Sequence, residues 1–390
     1  MLNILYIAGG NFPNGSAYSS RVRAFADLLT NLNYKVHIFA DYESGSEDKN
    51  NKGYGRYNNA TYQTIIDEIS LKERILLPYK NKQKVIEYLE KDKVDLVIIR
   101  SLSDRFSLLY KEIKKRKIPI ILESCEWYHH SNWRFGRLNP WYIQFRHSWD
   151  RVFPKADGVI AISTFLSEHY ANYMDKKKII RIPTIMDADT IDYSLNTVNK
   201  KIKLMYAGNP GNSKELLSNI LKSLDLLGKE SERYIFDIYG VDYEQLLRHL
   251  GREAYLMDRL DKIVNVNGKI DQEDILKKYQ ESDFGIFIRP NRRSSHAGFP
   301  TKLAECMLAG TPMICNDTGD IGKYLNKDNG YLLNTDSPEE LKDTLLVVAD
   351  MSSEDRLRMR RKAREDGVSY FDYKNYLHEI SAFINMFIRK

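Results

Sequence analysis

Cysteine is scarce in this chain, and its few copies exclude several classes of protein. Three cysteines occur in 390 residues, Cys125, Cys306 and Cys315. Their number is odd and their spacing matches no metal or redox pattern, which argues against a disulfide scaffold and favours a reducing compartment. Long apolar runs are also missing, because no window approaches the ~20 apolar residues of a membrane helix. The opening residues, MLNILYIAGG, have neither the basic flank nor the apolar core of an export signal. We therefore expect a cytoplasmic protein.

The composition indicates neither disorder nor nucleic-acid binding. Hydrophobic residues make up 43% and charged residues 29% of the chain, as in ordinary globular proteins. The net charge of +6 is too small for a chain of this length to indicate a nucleic-acid partner. At roughly 150 residues per domain, the length predicts two or three domains.

Short β-branched segments alternate with helix-length segments along most of the chain. This alternation is typical of parallel sheets with helices on both faces, and it predicts two doubly wound α/β domains. The strand candidates are residues 3–8, 35–40, 94–100, 118–124, 157–163 and 178–183 in the first half, and 202–208, 234–240, 262–268, 284–290 and 311–317 in the second.

Composition also suggests where the domains begin and end. The polar segment 188–201 predicts a hinge between a first domain, 1–187, and a second, 202–370. Residues 371–390 have the apolar spacing of a helix, for which packing is the expected role. The segment 42–60 is rich in Gly, Asn, Ser and charge, so we predict a mobile loop there.

The first motif, GGNFPNGSAYSSR at 9–21, directly follows the first predicted strand. Gly9, Gly10 and Gly15 permit tight turns, and Ser16 to Ser20 open the next helix. Free N–H groups at a helix start can hold an anion. A plain glycine-rich turn with a helix cap explains the segment equally well. It is not a dinucleotide fingerprint, because the G-x-G-x-x-G spacing is absent.

The second motif, YAGNPGNSKELL at 206–217, follows the first strand of the second half. Gly208 and Gly211 allow a tight loop, Ser213 can cap, and Lys214 is predicted in the first helical turn. A lysine there opposes the helix dipole unless an anion such as phosphate lies close. The alternative is that Lys214 is simply solvated.

The third motif, residues 288–314, is the most specific. We expect a strand ending at Arg289, a polar loop, and a helix whose first turn begins at Pro300. Lys302 and Glu305 lie three residues apart and so share one helix face. A cation for phosphate beside a carboxylate for vicinal hydroxyls suits a nucleotide sugar. An ordinary ion pair is the alternative, but it leaves the upstream Arg289, Arg292, Arg293 and His296 unexplained.

These motifs, with DTGDIGKYL and NGYLL downstream, resemble family 4 glycosyltransferases of the GT-B fold. The resemblance extends, in the right order, to GGNFPNGSA, ADGVIAIS with IPTIMD, and AGNPGNSK. It implies two Rossmann-like domains facing across a cleft, with residues 371–390 packed back on the first. It also implies retaining transfer from a nucleotide diphosphate sugar, UDP- or GDP-linked, without a metal or other cofactor.

The resemblance assigns roles to single residues. Glu305 matches the ribose-binding glutamate, and Lys214 matches the diphosphate-binding lysine. Two departures matter: Ala297 stands where many members have the first glutamate of an E-x7-E pair, and Asn209 stands where many have arginine. A subset of relatives has an arginine on the preceding strand followed by P-x-K-x-x-E, and we hypothesise that Arg289 and Lys302 supply the charge that Asn209 lacks. The catalytic candidates are therefore Arg289, Lys302 and Lys214, and the donor-binding candidates are Gly15, Ser16, Asn209, Lys214, Gly268, Lys269, Arg289, Pro300, Thr301, Lys302 and Glu305.

All four tryptophans fall within 23 residues, from 127 to 149, among histidines and arginines. Three interpretations stand: an amphipathic core helix, acceptor recognition or membrane contact, and stacking on single-stranded nucleic acid. The last fits nothing else in the chain. The acceptor candidates are Glu126, Trp127, His129, His130 and Arg134.

The sequence thus predicts a hexosyl- or related glycosyltransferase. We expect it to act on a glycan or lipid-linked acceptor in surface polysaccharide or glycoconjugate synthesis, without a nucleic-acid partner. Peripheral contact with the inner membrane surface fits the aromatic segment. The alternatives are a nucleotide-sugar epimerase and a silent nucleotide- or glycan-binding protein, which the missing first glutamate keeps open.

Overall fold

A computed structural model describes residues 1–14, 17–42, 53–66, 70–194, 200–211 and 214–388. The chain divides into two compact units. The first unit contains Met1–Asp187 together with the segment from Asp372 onward, and the second contains Ala188–Phe371. Within the predicted hinge, Ala188 and Ile191 are buried. The action of residues 188–201 as a hinge stays a prediction.

The first unit is built on an eight-stranded sheet of order β3-β4-β2-β1-β5-β6-β7-β8. All its neighbouring strands are parallel except β3, which runs antiparallel to β4. Three neighbouring inner strands, Leu96–Arg100, Ile120–Ser124 and Gly158–Ala161, are buried along their whole length, as expected where helices cover both faces. The strands are β1 Asn3–Ile7, β2 Lys35–Ala40, β3 Tyr54–Tyr57, β4 Ala60–Thr64, β5 Leu96–Arg100, β6 Ile120–Ser124, β7 Gly158–Ala161 and β8 Ile179–Arg181.

Part of the predicted loop 42–60 is a strand instead. Residues 54–57 form β3, which pairs with β4 through a two-residue turn at Asn58 and Asn59. Asn58 has a φ of 49°, a left-handed conformation that asparagine tolerates and that short hairpins require. The polar composition misled the prediction because β3 is an edge strand with alternating exposure. Residues 43–52 of that predicted loop lie outside the described residues.

The second unit is built on a six-stranded sheet of order β11-β10-β9-β12-β13-β14, in which every neighbouring pair is parallel. Five of these strands coincide with predicted ones. The sixth, β14, was not predicted as a strand, because a four-residue segment at a sheet edge carries little periodicity. The strands are β9 Ile202–Ala207, β10 Tyr234–Tyr239, β11 Val264–Val266, β12 Phe284–Phe287, β13 Met313–Asn316 and β14 Gly330–Leu333.

Helices connect the strands in both units. Several begin at side-chain caps: Ser163 accepts the N–H of Leu166, and Ser337 accepts that of Glu340. In chain order they are α1 Ala17–Asn31, α2 Leu71–Lys91, α3 Ser103–Lys115, α4 Pro140–His147, α5 Thr164–Ala171, α6 Leu217–Leu226, α7 Tyr243–Leu250, α8 Tyr255–Arg259, α9 Gln272–Gln280, α10 Arg293–Ala297, α11 Thr301–Leu308, α12 Pro338–Ala349, α13 Ser353–Phe371 and α14 Leu377–Asn385.

The last helix belongs to the core of the first unit. Ile380, Phe383 and Ile384 of α14 are buried in one apolar cluster with residues of α1 and β1. Tyr373 joins the same cluster just before the helix. The chain therefore returns to its first unit after completing the second.

Candidate functional site

The candidate site lies at the carboxyl edge of the six-stranded sheet. In parallel α/β sheets this edge gathers the loops that bind ligands. Backbone hydrogen bonds fasten the loops to one another: Gly240 N–H donates to Gly268 O at 2.7 Å, and Leu216 N–H donates to Ile288 O at 2.8 Å. The loop after β10 is thus joined to the loop after β11, and the loop after β9 to the loop after β12.

The strongest electrostatic feature of this edge is an ion pair between Lys302 and Glu215. Lys302 Nζ lies 2.7 Å from both carboxylate oxygens of Glu215. The hydroxyl of Tyr206, near the end of β9, donates to the same carboxylate. Glu215 is 2% exposed. The lysine of the third motif is thereby joined to a glutamate of the second, 87 residues earlier in the chain.

Burial and charge act against each other in this pair. Burial by itself would raise the pKa of Glu215, but the charge and hydrogen bond of Lys302 and the hydroxyl of Tyr206 hold that pKa below its usual value. Burial lowers the pKa of Lys302, and the Glu215 carboxylate opposes that decrease. Each group therefore favours the charged form of the other against the cost of burial.

Glycine at 208 makes room for the ammonium group. A Cβ at Gly208 would lie 2.8 Å from Lys302 Nζ, and the residue has a φ of 137°, which disfavours any other side chain. At Gly240 a Cβ would meet the carbonyl oxygen of Gly208 at 2.7 Å. Lys302 therefore lies directly over the loop that follows β9.

Glu305 lies one turn after Lys302 on α11 and has a different partner. Its Oε1 accepts a hydrogen bond of 3.0 Å from Gln272 Nε2, at the start of α9. Burial raises the pKa of Glu305, and the charge of Lys302 and the Gln272 bond oppose that increase. The structure thus places a carboxylate beside the lysine, as the three-residue spacing predicts.

Arg289 follows β12 and is buried. Asn316, at the end of β13, fixes its backbone: Arg289 N–H donates to Asn316 Oδ1 at 2.9 Å, and Asn316 Nδ2 donates back to Arg289 O at 2.7 Å. One guanidinium nitrogen donates to Ser295 O at 3.3 Å. The charge of Arg289 also lowers the pKa of Glu215, so the arginine lies close to the ion pair.

His296 fastens the loop before α11 to the loop after β13. Its Nδ1 accepts the Gly319 N–H at 2.9 Å, and its Nε2 lies 2.6 Å from Asn291 Oδ1. These partners assign the proton to Nε2. Pro300 directly precedes α11, which begins at Thr301, one residue after the predicted start. His296 therefore has a structural role in positioning this loop.

The second motif differs from its prediction at Lys214. The α-helix begins at Leu217, so Lys214 precedes it instead of lying in its first turn. The lysine side chain is exposed, and its charge lowers the pKa of Lys302, which places it near the ion pair. Asn209 Oδ1 accepts the Gly211 N–H at 2.8 Å and stabilises the loop. Ser213 lies outside the described residues.

The remaining donor candidates have varied positions. Gly268 accepts the Gly240 N–H just after β11, and Lys269 is exposed beside it. Gly15 and Ser16 lie outside the described residues, so their role in donor binding stays a prediction.

The first unit holds a second buried carboxylate, which the sequence did not single out. Glu123, at the end of β6, is fully buried. Arg21 Nε donates to its Oε1 at 2.6 Å, Arg100 Nε lies 3.8 Å from its Oε2, and the hydroxyl of Tyr6 donates to Oε2. Arg100 also covers the ring of Tyr18 at 3.4 Å from its centroid.

The aromatic segment divides into a core part and a surface part. Trp149 is fully buried, and Trp127, 8% exposed, packs on it with ring centroids 4.4 Å apart. Trp127 therefore packs in the core, and its role as an acceptor contact stays a prediction. Trp141 is 51% exposed. Trp127 and Trp149 both lie in the core, but only Trp149 lies in helical structure, in the turn Ser148–Val152. The helix α4 covers only residues 140–147 of the segment.

The other acceptor candidates lie at or near the surface. Glu126 and Arg134 are exposed, and His129 and His130 are half-buried with ring centroids 3.9 Å apart. Around them, large apolar side chains are exposed: Phe135 is 71% and Leu138 81% exposed. We call this region the arginine–apolar surface, and its members are Arg134, Phe135, Arg137, Leu138, Trp141 and Ile143.

The described residues contain neither a cluster of metal ligands nor a helix that could span a membrane. In that part of the chain no three His, Cys, Asp or Glu residues cluster as a metal site would require. No helix among the same residues is both long and apolar enough to cross a membrane. Metal-independent activity stays a prediction.

Two family models match the chain, one after the other. The model described as Glycosyltransferase Family 4 matches residues 19–190, and the model described as Glycosyl transferases group 1 matches residues 187–366. The chain is a glycosyltransferase of the GT-B type, similar to family 4. A search of curated protein sequences returned no match for this glycosyltransferase.

Solved structures share the fold of the glycosyltransferase at low sequence identity. Sucrose-phosphate synthase from Thermosynechococcus elongatus has a TM-score of 0.75 and 14% identity, with 99% of each chain covered. A glycosyltransferase from Rickettsia africae ESF-5 has a TM-score of 0.71 and 16% identity, with 100% of this chain and 99% of that chain covered. Anabaena Alr3699/HepE, solved with UDP and glucose, has a TM-score of 0.69 and 13% identity, with 99% of this chain and 100% of that chain covered. The prediction of two parallel-sheet α/β domains is confirmed.

Sequence reasoning missed four residues of the glycosyltransferase's site. These are Tyr206, Glu215, Gln272 and Asn316, which bond to predicted residues. A signal existed for Glu215, since a glutamate directly after Lys214 in a loop beyond a buried strand needs a cationic partner if it is buried. Nothing local pointed to Gln272 or Asn316.

Proposed function

We propose that this glycosyltransferase moves a hexosyl or related sugar, with retention, from a UDP- or GDP-linked donor to a glycan or lipid-linked acceptor. The observation that carries the proposal is the set of charges at the carboxyl edge of the second sheet. Lys302, Arg289 and the exposed Lys214 lie together there, with Glu305 one helical turn from Lys302. The structural neighbour Alr3699/HepE was solved with UDP and glucose, which supports a nucleotide sugar as donor.

Each part of the donor has a candidate partner in the second unit. The diphosphate would lie against Lys302, Lys214 and the loop after β9. Glu305, held by Gln272, would accept hydrogen bonds from the ribose hydroxyls. The turn at Gly268 and Lys269 would adjoin the base.

The chemistry that the site must support is cleavage of the bond between sugar and phosphate. Negative charge grows on the leaving diphosphate while the sugar becomes oxocarbenium-like, so cations fixed at that oxygen lower the barrier. The acceptor hydroxyl would attack from the leaving-group side, and the phosphate would take its proton. No nucleophilic side chain is needed in this scheme, and the fixed charges of Lys302 and Arg289 supply the main stabilisation.

A ligand screen followed by a turnover assay tests the proposal. We expect UDP or GDP, or one of their sugars, to raise the melting temperature, and free nucleoside diphosphate to be released only after a glycan or lipid-linked acceptor is added. Arg289→Ala and Lys302→Ala should each reduce both donor affinity and turnover. Conversion of the donor sugar without an acceptor would indicate an epimerase, and binding without release a silent binder. The proposal would be overturned if no nucleotide sugar changed the melting temperature and none was turned over.

On the acceptor side, we propose that the arginine–apolar surface contacts an anionic membrane surface where a lipid-linked acceptor would be found. Exposed Phe135, Leu138 and Trp141 offer apolar side chains for the headgroup boundary, and Arg134 and Arg137 complement anionic lipid heads. This arrangement fits a role in surface polysaccharide or glycoconjugate synthesis.

Vesicle sedimentation tests the membrane contact. The full chain should bind vesicles containing anionic phosphatidylglycerol and should bind neutral phosphatidylcholine vesicles weakly. The double variant R134S/R137S should bind anionic vesicles less well, while the matched surface variant R358S, in the second unit, should bind them unchanged. Equal binding by the double variant and the unsubstituted chain would contradict the proposal.

A further inference from the structure

The pairing of Glu215 with Lys302 raises a question that the proposed function leaves open. A carboxylate buried among groups meant for a diphosphate would repel that ligand. Yet Glu215 accepts two bonds of 2.7 Å from Lys302 and a third from the Tyr206 hydroxyl. A buried carboxylate with all these partners is a costly feature, so it calls for a role.

Lys302 occupies a position that is unfavourable by itself. It is the second residue of α11, where the positive end of the helix dipole repels an ammonium group. The charge of the nearby Lys214 also disfavours its protonated form, while Glu305 favours it. The lysine side chain has four rotatable bonds and would otherwise turn toward solvent. Glu215 opposes the repulsion because it supplies a negative charge, and it opposes rotation toward solvent because its two oxygens are fixed hydrogen-bond acceptors.

We propose that Glu215 is a positioning residue that holds the Lys302 ammonium over Gly208, at the place where the donor diphosphate binds. This inference rests on the proposed function. Lys302 keeps 15% of its side chain exposed in this position, whereas Glu215 is buried beneath it. An ammonium group has three protons, and two of them go to the carboxylate, which leaves the third for a phosphate oxygen.

A binding experiment with two ligands separates positioning from stability. The probe is whichever of UDP and GDP binds the unsubstituted chain, compared with its nucleoside, and affinity is measured by calorimetry. Glu215→Gln keeps the shape but removes the charge, so it should weaken nucleoside diphosphate binding about ten- to 100-fold. Nucleoside binding, which lacks the phosphates, should stay the same. Glu215→Asp keeps the charge, so its affinity for the nucleoside diphosphate should lie between those of the unsubstituted chain and Glu215→Gln.

The chain offers a matched control for this change. Glu253 pairs with Lys222 in the same unit, with both side chains partly exposed. Glu253→Gln makes the same chemical change away from the candidate site. It should leave the affinities for nucleoside diphosphate and nucleoside unchanged.

A double-variant cycle tests whether Glu215 acts through Lys302. If it does, Glu215→Gln should have little further effect in a chain that already carries Lys302→Ala. The pH profile gives an independent readout. Loss of the Glu215 charge lowers the pKa of Lys302 further, so nucleoside diphosphate affinity should decline at a lower pH in Glu215→Gln than in the unsubstituted chain. The charged groups around Lys302 that shape this profile are Glu215, Lys214, Glu305 and, through Glu215, Arg289.

The outcomes distinguish the two proposals. If the unsubstituted chain binds no nucleoside diphosphate, the proposed function fails. If that chain binds but Glu215→Gln binds equally well with an unchanged pH profile, the positioning role is overturned. If Glu215→Gln does not fold, the Glu215→Asp variant decides the question. If its affinity and pH profile equal those of the unsubstituted chain, the positioning role is overturned. If it loses affinity for the nucleoside diphosphate and not for the nucleoside, the role is supported.

Discussion

In each unit of this glycosyltransferase, a buried glutamate at the carboxyl edge of the sheet accepts a hydrogen bond from a tyrosine hydroxyl. Glu123 accepts the hydroxyl of Tyr6 on β1, and Glu215 accepts that of Tyr206 on β9. In both units the tyrosine lies on the first strand of the unit in chain order. An Ala-Gly pair follows shortly after it, at residues 8–9 in the first unit and 207–208 in the second. The same arrangement of side chains thus occurs in both halves of the chain.

The cations distinguish the two arrangements. Arg21 and Arg100 are both buried, and Arg21 also donates to Ile182 O at 3.1 Å, so its charge is fully used within the first unit. Lys302 is partly exposed and has Lys214 nearby. A closed network of arginines suits a structural role, whereas a lysine at the surface of its network remains available to a ligand.

The largest effect on stability is expected from Glu123 and its two arginines in the first unit. Glu123→Gln leaves two buried arginines without their carboxylate and should reduce the free energy of unfolding by about 3 to 5 kcal/mol. Urea unfolding measures this loss. Glu90→Gln, which disrupts an exposed pair with Arg116, should cost about 1 kcal/mol or less. Similar losses for the two variants would remove the contrast between the networks.

The largest effect on turnover is expected from the Glu215–Lys302 pair of the second unit. If the proposed function holds, Lys302→Ala should reduce turnover about 100- to 1000-fold, because a fixed cation at the leaving group is lost. Release of nucleoside diphosphate in the presence of acceptor measures it. Lys222→Ala serves as the control and should retain turnover. Full activity in Lys302→Ala would assign Lys302 a structural role like that of Arg21.

Acid should weaken the first unit through His37. Burial lowers the pKa of His37 to about 4, with Asp92 opposing and Lys35 adding to that decrease. As the pH falls below about 6.5, the unfolded chain binds a proton that the folded chain takes only near pH 4. The contribution of His37 to stability is therefore complete above pH 6.5, and about 2 kcal/mol of it is lost by pH 5. Urea unfolding at both pH values checks this, and His37→Gln should reduce the difference. An unchanged difference in His37→Gln would rule out this histidine as the source.

The smallest stability effect is expected at the arginine–apolar surface. Trp141→Ala should change the free energy of unfolding by about 0.5 kcal/mol or less, because about half of the side chain is already exposed to water. Trp149→Ala, in the core of the same segment, should cost about 3 to 5 kcal/mol. Thermal unfolding of both variants checks the difference. A large loss at Trp141 would mean that this surface is a structural contact.

The sequence predicted the positions of the strands far better than the contacts between side chains that are distant along the chain. Buried parallel strands such as β2 carry continuous β-branched and aromatic runs, so residues 35–40 were predicted with the observed bounds. The edge strand β3 was missed because its residues are polar and half exposed. The bond between Glu215 and Lys302 was missed for another reason. It joins residues 87 positions apart, and their proximity depends on the order of strands in the sheet, which local periodicity does not contain.

The return of the chain to its first unit has a consequence for synthesis on the ribosome. Residues 188–371 are contiguous, so the second unit has all its segments as soon as residue 371 has emerged. The first unit must wait for Ile380, Phe383 and Ile384, and until then the apolar face of α1 against which α14 packs stays open to water. The half of the molecule that is translated first is therefore the half that completes its folding last.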